Sequence, residues 1–148
     1  VLLVRQFRYP VYTGLNAPDS NAYSPRQAWI LEIAAGVQEI GRTVRDVAHK
    51  ELLEEAGYAV KSELHFITTC YPSPGGTSER THIFWAEVDH QKQVGQGGGV
   101  TAEGEDIQIV VLPFHEAIER IAHGEIRDAK SIIALQHLAL QKYSTAST

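Results

Sequence analysis

The stretch from Thr43 to Tyr58 restricts the possible folds of this chain more than any other. Thr43 and Asp46 have the spacing of a helix capping box, in which side-chain oxygens satisfy the first free backbone N–H groups. Val44, Val47, Ala48 and Leu52 then recur at helical intervals and define a buried stripe. Gly57 stands where such a helix should end, because glycine takes the left-handed conformation of a C-cap without strain. At ~100° per residue, Glu51 and Glu55 fall on the buried stripe, while Arg45, Asp46, His49 and Lys50 take the solvent side. Two ionised carboxylates on a mostly apolar face are costly unless positive charge compensates them. A divalent cation does this, and Glu54 offers a third oxygen ligand or hydrogen-bond partner beside them. The competing reading is a helix whose glutamates are merely solvated. The angular placement of Glu51 and Glu55 counts against it.

Around this helix, strand and helix patterns alternate. Residues 1–7 read as a buried strand, residues 12–27 as a long loop rich in Asn, Ser, Pro and Gly, and residues 29–34 as a second strand. Ala35-Gly36 forms a tight turn leading to the capped helix. Residues 64–71 and 81–88 are strand candidates joined by a Pro- and Gly-containing loop. A Gly-rich loop at 95–99 precedes an acidic cluster and a strand at 107–112, and residues 114–123 and 129–141 read as helices. The alternation predicts an α/β fold with a mixed β-sheet sandwiched between helices. A length of 148 residues suits one domain spanning 1–148.

Charge and cysteine content narrow the function classes. A formal charge of −5 without a basic stripe argues against nucleic-acid binding. No apolar run approaches the ~20 residues needed to span a bilayer. Cys70 is the only cysteine and no secretory segment is visible, so a reducing cytoplasm is the expected location. The chain lacks methionine and opens inside an apolar run, from which N-terminal residues are expected to be missing.

Gly36, Arg42 and the run Lys50-Glu51-Leu52-Leu53-Glu54-Glu55-Ala56-Gly57-Tyr58 resemble the Nudix box, G-x5-E-x7-R-E-U-x-E-E-x-G-U. The departures are Arg42 where the family has Glu and Lys50 where it has Arg. In the family these two often pair and brace the loop against the helix. With positive charge at both positions, that brace cannot form in its usual way. The flanks extend the likeness through most of the chain. Residues Val4-Arg5-Gln6-Phe7-Arg8, Leu31-Glu32-Ile33-Ala34-Ala35-Gly36, Ser73-Pro74-Gly75-Gly76-Thr77-Ser78-Glu79-Arg80 and Glu103-Gly104-Glu105-Asp106-Ile107 are similar to the ADP-ribose pyrophosphatase branch. Gly97-Gly98-Gly99-Val100 and Glu125-Ile126-Arg127-Asp128 resemble its GDP-mannose group.

The resemblance implies Mg²⁺-dependent hydrolysis of ADP-ribose or a related nucleoside diphosphate sugar to NMP and a sugar phosphate. GDP-mannose or UDP-glucose pyrophosphatase is the nearer alternative, and a non-catalytic ADP-ribose sensor the further one. It implies Glu51, Glu55, Glu105 and the Ala35 main-chain carbonyl as metal ligands for two or three Mg²⁺, with Mn²⁺ a possible substitute. Glu103 is the candidate general base, although Glu105 could exchange roles with it, and Glu54 would ligate metal or orient a water. Arg8 would meet phosphate or the terminal ribose, since guanidinium matches phosphate oxygens bidentately. Val37, Ser73, Gly75 and Glu79 would contact substrate. Relatives are commonly homodimers in which an N-terminal β segment crosses to the partner, so the full-length protein is expected to dimerise through a segment this chain lacks. The histidines show no ligand spacing, and Trp29 and Trp85 read as packing residues.

Overall fold

The computed structural model describes residues 1–15, 24–100, 102 and 104–146. Strand β1 (Leu2–Phe7) lies at the centre of a three-stranded sheet, flanked by β2 (Trp29–Glu32) and β7 (Ile107–Val111). Both neighbours run antiparallel to β1, with Val4 opposite both Glu32 and Ile109. Two further antiparallel pairs join β3 (Tyr58–Val60) to β6 (Val88–Gln93), and β4 (His65–Cys70) to β5 (Thr81–Trp85). The α/β class holds. Every pairing among the described residues is antiparallel, whereas the sequence suggested a mixed sheet; β2 and β7 are parallel to each other but are separated by β1.

Successive side chains of a strand face opposite sides, and β1 uses both faces. Leu3 joins Leu31, Leu112, Ala117, Ile126 and Leu135 in a core with helices α3 (Phe114–Ala122) and α4 (Ala129–Ala146). Val4, also buried, points the other way, toward the side on which α2 (Val44–Ala56) packs against β1 and β7. The sheet therefore separates an apolar core from the helix that carries the carboxylates.

The expected loop at 12–27 is partly helical. Tyr9–Leu15 forms α1, in which the Tyr12 N–H donates to the Arg8 carbonyl at 3.0 Å. Pro10 sits in the first turn, where its missing N–H costs nothing, and the Tyr12 ring packs against Phe7 at 5.7 Å. Ser24 and Gln27 close a capping box on a 3₁₀ turn, Pro25–Ala28, leading into β2. Residues 16–23 lie outside the described residues. Strands β3 and β6 were not anticipated, because β3 is short and Val88–Gln93 is mostly polar; only their pairing with each other makes them strands.

Candidate active site

Helix α2 forms as its sequence specifies. The Thr43 hydroxyl accepts from the Asp46 N–H at 3.2 Å, and the Asp46 carboxylate accepts from the Thr43 N–H at 3.1 Å. Gly57 ends the helix at φ +75°, its N–H donating to the Leu53 carbonyl at 2.9 Å. On the inner face Glu55 is only 2% exposed and Glu51 is largely covered. Both reach the same turn. Glu55 Oε2 accepts from the Ala35 N–H at 3.0 Å, and the Glu51 carboxyl carbon lies 2.1 Å from where a Cβ on Gly36 would sit. A side chain at Gly36 would displace the Glu51 carboxylate from this position. The Ala35 carbonyl accepts no hydrogen bond among the described residues.

A second segment reaches this face through the end of the helix. The last carbonyls of a helix lack partners within it, and two of them are taken by the Gly-rich loop. The Gly98 N–H donates to the Glu55 carbonyl at 2.8 Å and the Gly99 N–H to the Glu54 carbonyl at 3.0 Å. The approach is too close for a side chain at Gly97, whose Cβ would lie 2.8 Å from the Ala56 carbonyl carbon at φ +64°. Just beyond, Glu105 Oε2 accepts from the Val100 N–H at 2.7 Å. The loop so tethered holds Glu105 where it acts electrostatically on both Glu51 and Glu55.

The result is an excess of buried negative charge. Burial above all, against the hydrogen bond from the Ala35 N–H, and with repulsion from Glu51 and Glu105 outweighing the pull of Arg8, pushes the Glu55 carboxyl up to about 7. Burial also raises Glu51, against the pull of Lys50 and with added repulsion from Glu54 and Glu105. No three acidic or imidazole side chains among the described residues converge closely enough to enclose an ion by themselves. The donor set is nevertheless hard oxygen throughout, with an Ala35 carbonyl that accepts no hydrogen bond among the described residues. It fits a cation that keeps waters and substrate oxygens in its shell, as Mg²⁺ does.

Next to this face runs a chain of ion pairs. Glu32, 2% exposed at the end of β2, accepts from Arg8 Nε at 2.6 Å and is also bonded by Lys130 Nζ. Lys130 pairs with Asp128 at 3.0 Å, Asp128 accepts from the Ser131 hydroxyl at 2.5 Å, and Ser131 Oγ accepts from the Ile33 N–H at 2.8 Å. Sequence reasoning gave Glu32 and Lys130 no role. The available signal was an acid inside the apolar run Trp29-Ile30-Leu31-Glu32-Ile33.

Residues 1–135 match the NUDIX domain family. The chain belongs to the NUDIX family. It is 38% identical over 141 residues to the GDP-mannose pyrophosphatase of Cronobacter sakazakii, covering 95% of this chain and 67% of the relative. Identity to the protein of that name from Pectobacterium atrosepticum is also 38% over 141 residues, with 95% and 66% covered. For that from Escherichia coli O1:K1 it is 38% over 140 residues, again with 95% and 66% covered. The chain thus spans about two thirds of the length of these curated relatives.

The Nudix box departs from its pattern at Arg42 and Lys50, and the structure shows what replaces the expected pairing. Glu39, three residues before Arg42, accepts from Arg42 Nε at 2.9 Å and pairs with Lys50 Nζ at 3.1 Å. The acid has moved within the Nudix loop, and the loop is still tied to the helix. Lys50 also approaches Glu54 at 3.3 Å and Glu51 at 3.6 Å, so Glu54 is engaged with a lysine on the partly exposed side of α2.

The other candidate positions are less gathered. Arg8 is half-buried with Nε held by Glu32, and its outer edge remains accessible. Val37 is 86% exposed on the Nudix loop. Ser73, Gly75 and Glu79 are exposed on the loop between β4 and β5, where the Ser73 carbonyl accepts from the Gly76 and Thr77 N–H groups and the Thr77 hydroxyl from the Glu79 N–H. That loop borders an open depression of about 480 Å³ lined by Tyr71, Pro74, Gly75, Gly76, Thr77 and Ser78. No hydrogen bond or ion pair joins it to the carboxylates among the described residues. Glu103 lies outside the described residues. No helix among the described residues is long and apolar enough to cross a membrane.

Proposed function

We propose that this chain hydrolyses the pyrophosphate bond of a nucleoside diphosphate sugar, giving NMP and a sugar phosphate. The observation that carries the reading is the convergence of Glu51 and Glu55 on the Ala35–Gly36 turn, with Glu105 on the tethered Gly-rich loop near enough to act on both electrostatically. GDP-mannose stands ahead of ADP-ribose and UDP-glucose as substrate, because relatives with 38% identity are named for it. ADP-ribose remains the second reading, on the likeness of residues 73–80 to the branch that cleaves it.

In this reading Glu51, Glu55, Glu105 and the Ala35 carbonyl hold two or three Mg²⁺ ions, for which Mn²⁺ can substitute. The bound cations would neutralise the pyrophosphate charge and help align a water with phosphorus. Arg8, fixed through Nε by Glu32, presents its remaining guanidinium N–H groups to phosphate. Glu103 takes the proton of the attacking water as the new P–O bond forms and the bridging P–O bond breaks. Glu54 orients that water. Val37, Ser73, Gly75 and Glu79 contact the nucleotide or sugar. In the same reading the protein works as a homodimer.

The test is ³¹P NMR of GDP-mannose, ADP-ribose and UDP-glucose incubated separately with the protein and Mg²⁺. Conversion of one diphosphate to two monophosphate signals, abolished in Glu55→Gln, is expected, with GDP-mannose consumed fastest. Tight binding of a diphosphate with unchanged spectra would replace the hydrolase with a sensor.

A further inference from the structure

We propose that Glu39 is a positioning residue that draws the Lys50 ammonium away from the candidate metal carboxylates, and so sets how strongly the Glu51–Glu55 face takes a divalent cation. The inference rests on the metal role proposed above. Lys50 Nζ is shared among three carboxylates: Glu39 at 3.1 Å, Glu54 at 3.3 Å and Glu51 at 3.6 Å. Two of these lie on α2 within the candidate site. The third lies on the loop outside it and is the nearest.

The loop is built to present that third carboxylate. Arg42 Nε donates to Glu39 Oε2 at 2.9 Å, which leaves Oε1 turned to Lys50. The Arg42 N–H donates to the Glu39 carbonyl at 3.2 Å, and the Arg42 carbonyl accepts from Gln38 Nε2 at 3.1 Å, closing residues 38–42 on themselves. Without the Glu39 charge, two cations would stand at the rim of the site with no acid between them. The Lys50 ammonium would then settle on Glu54 and Glu51. A lysine and a divalent ion compete for the same oxygens, so the ion must bind more weakly.

The experiment measures Mn²⁺ binding by electron paramagnetic resonance, without substrate, in the wild-type chain, Glu39→Gln, Lys50→Gln and the double variant. Because exposed pairs of this kind couple weakly, E39Q is expected to raise the Mn²⁺ dissociation constant about two- to fivefold. Adding E39Q to K50Q is expected to change nothing, since the competing ammonium is already gone. Equal affinity of E39Q and wild type would overturn the inference, as would weaker Mn²⁺ binding by K50Q than by wild type, which loss of a purely structural Glu39–Lys50 staple produces and removal of a competing ammonium does not. Absence of Mn²⁺ binding by the wild type would overturn the metal reading itself and this inference with it. Glu39 is half-exposed, so the fold survives its replacement, and far-UV circular dichroism verifies this.

Discussion

Two buried acids carry most of the residue-scale consequences. Glu55 in the metal-free protein holds its proton up to about pH 7, because burial and two neighbouring carboxylates disfavour its charge. The unfolded chain releases that proton near the ordinary carboxylate value of about 4.3. The folded state therefore binds more protons between these values, and stability falls as pH rises through that window. Urea denaturation in EDTA should show this decline, and Glu55→Gln should flatten it. Saturating Mg²⁺ should restore stability at pH 8. Glu32, the other buried acid, is paired with Arg8 and Lys130. Glu32→Gln leaves those two cations facing a neutral amide, and a loss of roughly 1–3 kcal/mol in urea unfolding is expected. Arg8 would also lose its fixed orientation, so KM for the diphosphate should rise in the same variant.

Among the elements, the decisive contact is between the C-terminus of α2 and the Gly-rich loop. The loop satisfies helix carbonyls and in return is held where Glu105 reaches the site. Gly97 has both a left-handed φ and backbone atoms within 3 Å of any Cβ. Gly97→Ala should therefore detach the loop and lower kcat roughly ten- to hundredfold, because small displacements of catalytic groups are costly. Thermal unfolding should show only a modest loss, since the apolar core lies elsewhere. The elements also mark how far periodicity reaches. Helix α2 was legible residue by residue, from the Thr43 cap to Gly57, because its signals are local and chemically specific. Strands β3 and β6 were not, because a polar strand such as Val88–Gln93 is defined by its partner and not by its own pattern.

The whole molecule places stability and chemistry on opposite faces of one sheet. Leu135 of α4 and Ala117 of α3 pack with Leu3, Leu31, Leu112 and Ile126, whereas the carboxylates lie on α2, which packs against β1 and β7. Leu135→Ala should cost about 2–5 kcal/mol of unfolding free energy. Its Mn²⁺ affinity, read by electron paramagnetic resonance, should stay within twofold of wild type, because the core cluster around Leu135 includes no residue of α2. A parallel loss of affinity would show that the two faces are coupled through the sheet.

By itself the sequence determined the α/β class, the capped helix and the inward placement of Glu51 and Glu55, because helical periodicity and cap chemistry are written in neighbouring residues. It also singled out Gly36 and the Gly-rich loop, without saying that the first makes room for Glu51 and the second binds the helix end. Only the tertiary structure decided those roles, since each depends on backbone atoms brought together from distant segments. The same holds for Glu32 with Arg8 and Lys130, partners 24 and 98 residues away. It holds for Glu39 as well, whose carboxylate finds Lys50 eleven residues on. An ion pair is selected by distance in space, and the spacing along the chain does not encode it.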